Sequence, residues 1–266
     1  KAVDLLSGER IDMDKFKDLY GDKIITKDMN EVKKMQDRYE KTDTPERKKM
    51  QKYAVVFEAI VHDMIDMNGW LGDNAMAKKA SLYDDLKNGV DEIIKFTEPK
   101  TSATSYLALG VDVTFGNDII KKMDRIKTQI EKGDMGVIKY LLTNNYRGEM
   151  RNVPRVVIGA DMKNLEEITK LWLDGKRRAL AQHQVKLIIL DQMIIQLMNF
   201  SRYAENVGQH LIADSFNRVL KIVEKIYDKE SEEEKNINFN QDRVNQAIDK
   251  YCEDLEKENL KLETKK

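Results

Sequence analysis

The segment YLALGVDVTF, Tyr106 to Phe115, is apolar at nearly every position. A strand of that composition is expected to be covered on both faces, as in sheets layered between helices. VPRVVIGA, Val153 to Ala160, is equally apolar and β-branched. Between the two, Gly116-Asn117-Asp118 ends the first strand and caps an amphipathic helix from Ile119 to about Lys132. One residue resists this reading. Asp112 interrupts the apolar run, and a charge in a covered strand costs free energy unless something compensates it.

The flanking sequence extends the pattern. Ser81–Leu86 and Val90–Thr97 are short β-prone runs around Asn88-Gly89, a strong signal for a type I′ hairpin. Gly136–Leu142 reads as a fourth strand and Val153–Ala160 as a fifth. Ahead of them, Thr44 is a good N-cap, Pro45 suits the first helical position, and a long helix runs to NGW at 68–70. Further helices are expected over Asn164–Leu173, Lys176–Val207, Asp214–Lys229 and Asp242–Leu262. The first 43 residues read as one or two short surface helices. The expected fold is therefore α/β, with a mixed central sheet of about five strands flanked by helices. Residues 1–44 would be a helical extension, 45–175 the α/β core, and 176–266 a helical region packing on the core or a partner. VKLIILDQMIIQLMNF, Val185 to Phe200, is apolar nearly all round and must be buried, in the core or against a second copy.

Composition narrows the function classes. A single cysteine, Cys252, leaves no internal disulfide and no cysteine-rich zinc site. It sits in a charged helix, a poor setting for a nucleophile. No run is long and apolar enough to span a bilayer, and a cytoplasmic location is expected. The chain begins at Lys1 rather than Met, as a fragment or trimmed chain would. The net charge of −1 does not advertise a nucleic-acid binder, but basic clusters occur at Arg47–Lys52, Lys121–Lys127 and Lys176–Arg178. His62, His183 and His210 lack metal-pair spacing, though His62 shares a helix face with Glu58. Walker, dinucleotide and Gly-x-Ser-x-Gly motifs are absent.

The acids carry the remaining signal. Asp91 heads one expected strand and Asp112 lies in the next. Two carboxylates at one sheet end repel each other and are desolvated, which a divalent cation would relieve. Oxygen ligands suit Mg²⁺ or Mn²⁺, which can polarise a phosphoryl oxygen and deliver hydroxide. Asp84 and Asp85 read as turn and edge acids, with Asp85 nearer to Asp91.

This order of elements, with NGVD supplying Asp91 and VDVT supplying Asp112, resembles the PD-(D/E)XK superfamily of restriction-endonuclease-like nucleases. The resemblance covers roughly Tyr53 to Ala160. It implies a metal-dependent hydrolase of phosphodiester bonds, with Asp91, Asp112 and the helix acid Glu58 (in VVFEAIVHD) as metal ligands. It also implies a nucleic-acid partner, DNA ahead of RNA. The family's motif lysine falls on Thr114 here, so Lys127 or Lys122 from the following helix would have to supply that charge. Without one, the implied alternative is a catalytically inactive module for nucleic-acid binding or protein assembly. A homodimer through the 185–200 helix suits either.

Overall fold

The computed structural model describes residues 1–42, 44–98, 101–112, 117–231 and 242–264. The helices are α1 (Ala2–Glu9), α2 (Lys17–Tyr20), α3 (Asp22–Thr42), α4 (Pro45–Asn68), α5 (Asn117–Glu131), α6 (Met162–Leu173), α7 (Arg177–Ala181), α8 (Val185–Asn206), α9 (His210–Ser231) and α10 (Arg243–Glu263). The strands are β1 (Ala75–Lys79), β2 (Glu92–Thr97), β3 (Thr104–Asp112), β4 (Ile138–Leu142), β5 (Arg147–Met150) and β6 (Arg155–Gly159).

Helix α4 begins where the local chemistry dictates. The Thr44 hydroxyl accepts from the Arg47 N–H, Pro45 is the first helical residue, and Gly69 closes the helix in the left-handed conformation. The turn that follows leads into a four-stranded mixed sheet of order β1-β2-β3-β6. β1 and β2 are antiparallel, as are β2 and β3; β6 runs parallel to β3 after the α5 crossover. Period-two alternation divides the side chains. Ala75, Ala77, Ile94, Phe96, Leu107 and Leu109 join the core that includes Phe57, Ile60, Val61 and Met64 of α4. Ile93 and Ala108, of opposite parity, join a second cluster with Phe16, Ile25, Ile138 and Tyr140.

Several sequence expectations need correction. Ser81–Leu86 is not a strand, and Asn88-Gly89 is not a hairpin turn. The partner of β2 is β1, and residues 84–88 form a π-helical turn closed by Gly89 at φ +69°. Asp84 decides this locally: it accepts from the Ser81 hydroxyl at 2.8 Å, the Asn88 amide at 2.7 Å, and the Lys139 and Tyr140 N–H groups at 2.8 and 3.0 Å. A flat hairpin could not satisfy those bonds. The expected fourth strand is real, but it pairs with β5 in a separate two-stranded sheet. Among the described residues the central sheet therefore has four strands rather than five. Its β6 edge is closed by side chains: Gln192 and Gln196, one turn apart on α8, each accept and donate with the backbone of Gly159 and Val157. Two glutamines thus do what a fifth strand would do, and the edge is blocked to further pairing.

The N-terminal segment is not merely a surface addition, because it buries Phe16 and Ile25 completely. The 176–207 helix is broken at 182–184 into α7 and α8. The apolar length of α8 is covered within the chain, by α9, α10 and β6. Met198 is its one exposed large hydrophobic residue between 185 and 200. The need for a second copy against that helix therefore disappears. No helix among the described residues is long and apolar enough to cross a membrane.

Candidate functional site

The acids converge where β1 ends and β2 begins. Asp91 immediately precedes β2 and is stitched to β3. Its N–H donates to the Leu109 carbonyl at 2.9 Å, and its carboxylate accepts from the Val111 N–H at 2.7 Å. Val111 is the residue before Asp112, which ends β3 opposite Gly159 of β6. The backbone thus brings Asp91 and Asp112 to the same end of the sheet, as expected. The Asp112 side chain and all of Thr114 lie outside the described residues.

Glu58 reaches this end from α4. It is 8% exposed and forms an ion pair with Lys79. Lys79, last residue of β1, is the component that sequence reasoning missed. It is 1% exposed, its Nζ donates to the Asp91 carbonyl at 2.9 Å, and it lies 3.4 Å from the Asp85 carboxylate. Asp85 is also held by Arg10 of the N-terminal segment at 3.0 Å. A faint signal existed in the sequence. In AMAKK, Lys79 occupies the inward parity of Ala75 and Ala77. Alanines advertise a buried face weakly, and the stronger Asn-Gly signal drew the first strand six residues too late.

A second layer stands behind the first. Glu92, in register with Lys79, is fully buried and pairs through Oε2 with His62 Nδ1 at 3.2 Å. His62 comes from α4 one turn after Glu58, so the shared helix face seen in the sequence does face the acids. Among the described residues Glu92 Oε1 has no hydrogen-bond partner, and Glu58 Oε1 meets Lys79 as an ion pair without a well-oriented hydrogen bond.

The two helix lysines part ways. Lys122 Nζ donates to the Val111 carbonyl at 3.0 Å, and its charge acts on Asp91. Lys127 points away from the acids. It is bound to Glu258 of α10 at 2.6 Å and lies over the Tyr203 ring. The apolar stripe of α5 is buried, and Lys127, at its edge, is captured by the C-terminal helices rather than by the sheet end. The assignment of Lys127 to the site is therefore corrected.

The electrostatics follow from crowding. Burial, together with the neighbouring charges of Asp91 and Glu92, pushes the Glu58 carboxyl up to about 8 against the pull of Lys79. Burial and then the Asp85 charge raise Asp91, while Lys79 and Lys122 oppose the rise. Burial raises Glu92 as well, opposed by His62. Burial disfavours the His62 cation, but its bond to Glu92 and the charges of Glu92, Asp66 and Glu9 together outweigh that and raise it. Burial likewise works against the charge on Lys79, and the surrounding Asp85, Asp91 and Glu58 overcome it and raise its affinity for the proton. One lysine thus stabilises carboxylates that repel each other.

Among the described residues, no group of three or more His, Cys, Asp or Glu side chains is arranged to hold a metal ion. Asp91 and Glu58 flank Lys79, and the Asp112 carboxylate, outside the described side chains, belongs to the adjoining strand end. The crowded carboxylates and the poorly satisfied Glu58 oxygen are the chemistry that a hard divalent cation would stabilise. No family model, curated protein or solved structure matches the chain.

Proposed function

We propose that this protein is a metal-dependent phosphodiester hydrolase acting on nucleic acid, with a restriction-endonuclease-like core. The observation that carries the reading is the placement of Glu58, Asp91 and buried Lys79 together at the sheet end to which β3 delivers Asp112. The order helix, three antiparallel strands, helix and, after the separate β4–β5 pair, a strand parallel to the third supports it. Asp91, Asp112 and Glu58 would hold Mg²⁺ or Mn²⁺. When bound, the ion would supply Lewis-acid polarisation of a phosphoryl oxygen and a lowered pKa for water. Lys79 takes the part that the family assigns to the lysine at the Thr114 position. It keeps Glu58 and Asp91 close despite their repulsion and presents a cation at the sheet end, with Lys122 as a second. The His62–Glu92 pair fixes the base of the cluster.

A second reading has its own support. The described carboxylates already hold cationic partners, Lys79 and Arg10, so the fold can keep them without a metal. That favours a catalytically silent nucleic-acid-binding or assembly module.

One assay separates the two: cleavage of mixed DNA and RNA substrates with Mn²⁺, wild type against Asp91→Asn. Asparagine can still accept from the Val111 N–H, so the variant is expected to fold. The nuclease reading expects activity in the wild type and a loss of ~10–100-fold or more in the variant. Equal activity in both would remove Asp91 from the mechanism. Binding without cleavage by the wild type would establish the silent module.

A further inference from the structure

The second observation is electrostatic and lies on α3. The inner face of this helix is anchored: Ile25, Asp28 and Val32 are buried, and Asp28 accepts from the Tyr140 hydroxyl at 2.6 Å and pairs with Lys139. On the outer face, Lys23, Lys27, Lys34, Arg38 and Lys41 are all exposed. At 3.6 residues per turn these five fall within about 60° of one another and span about 27 Å of helix axis. A broad cleft of about 1200 Å³ opens along them, with five cations and two acids in its lining. The fifth cation is Lys87, which engages one of the acids, Glu31. Lys23, Lys27 and Lys34 have no ion-pair partner among the described residues. A chain of net charge −1 therefore places three such lysines on one line with Arg38 and Lys41.

The position of the line matters as much as its sign. Lys87 belongs to the 84–88 turn, whose Asp85 contacts Lys79. Arg125 donates to the Lys87 carbonyl at 2.7 Å, and Arg155 donates to the neighbouring Asn88 carbonyl. Positive groups thus continue from the α3 cleft to the acidic sheet end.

We propose that this face of α3 is a track for the phosphate backbone of a nucleic acid. The alignment of the cations along one helix face and its length, about eight nucleotide steps, fit a polyanion rather than a small anion. The choice of nucleic acid rests on the phosphodiesterase reading; the charge pattern does not. Since the contacts go to phosphates, the track supplies affinity and register and no base readout.

The test uses the full chain in EDTA with a fluorescent 24-base-pair DNA duplex, titrated at several salt concentrations. Lys23→Gln, Lys27→Gln and Lys34→Gln are combined in one variant. A control carries the same charge change on α9, at the exposed Lys221, Lys225 and Lys229. Thermal melts confirm that both fold. The track predicts at least ~10-fold weaker binding for the α3 variant, and a slope of log K against log salt shallower by about 3. The control should match the wild type. No binding by the wild type, or equal losses in both variants, would overturn the track. The outcome is separable from catalysis. A triple variant that loses binding while the wild type cleaves nothing leaves the track standing and removes the nuclease. Cleavage unchanged in the triple variant, but lost in Asp91→Asn, does the reverse.

Discussion

Asp84 and Asp91 lie seven residues apart, and the protein holds them in opposite ways. Asp84 is fully buried, yet donors surround it: two backbone N–H groups of β4, the Ser81 hydroxyl and the Asn88 amide. Burial raises its pKa, and those hydrogen bonds counter the rise. Asp91 has, among the described residues, one backbone donor to its carboxylate, and the charges that act on it include some like its own. The first carboxylate ties the 84–88 turn to the small sheet. The second belongs to a cluster of Glu58, Asp85 and Glu92 that depends on Lys79, Arg10 and His62. A satisfied buried acid is architecture. A crowded one, held among like charges by a few cations with buried Lys79 at their centre, is the better functional candidate.

The comparison can be broken at its stronger end first. Asp84→Ala leaves the Lys139 and Tyr140 N–H groups without their acceptor in a buried setting. It is expected to cost ~4 kcal/mol or more, read by urea denaturation. A cost under ~1 kcal/mol would mean that water replaces the carboxylate and that Asp84 is no hub.

Lys79→Met tests the other end. Removing the cation strips Glu58 of its ion-pair partner and leaves Asp85 and Asp91 with only Arg10 and Lys122, at ~3 kcal/mol near pH 8. The loss should shrink near pH 5, where folded Glu58 already holds its proton. Adding Glu58→Gln should restore much of the stability at pH 8, because the two changes act on one pair. Additive losses in the double variant would show that Lys79 stabilises through packing of its chain and not through charge.

The smallest effect is the sharpest on sign. The Glu58 carboxyl is raised from 4.5 to about 8, so the folded state holds a proton that the unfolded chain releases. Stability contributed by that proton is present below about 4.5 and falls as pH rises towards about 8. Glu58→Gln should therefore be neutral near pH 5 and stabilising by ~1–2 kcal/mol near pH 8, a Tm gain of ~2–8 °C. Mn²⁺ should raise the wild-type Tm at pH 8 more than that of the variant. A variant destabilised at pH 8 would mean that Glu58 acts there as an ordinary ion-pair partner of Lys79.

Much of the fold was legible because it is local. The cap at Thr44-Pro45, the α5 stripe and the two apolar strands follow from residues a few positions apart. The hairpin failed for an instructive reason. Asn88-Gly89 does supply the left-handed glycine that a tight turn needs. The acceptor at Asp84, satisfied by a strand more than fifty residues away, turns the preceding segment into a helical turn instead. In the site, Asp91 and Glu58 could be named because an acid beside a strand head and an acid on an apolar helix face are locally anomalous. Lys79 and Glu92 could not, since each is anomalous only once the β1–β2 register is known. Lys127 misled for the same reason: the helix wheel places it at the edge of the buried stripe, and Glu258, more than a hundred residues later, decides what it touches.

The sequence by itself determined the alternation of apolar strands and amphipathic helices, and hence a layered α/β fold with acids near one strand end. Periodicity and capping act over single turns, so they can be read without a partner. The tertiary structure alone decided which cation meets those acids, which carboxylate is satisfied by neutral donors, and how Gln192 and Gln196 close the β6 edge at four strands. Those outcomes depend on the desolvation of charged and polar groups, and desolvation is set by what packs around a residue, not by its neighbours in the chain.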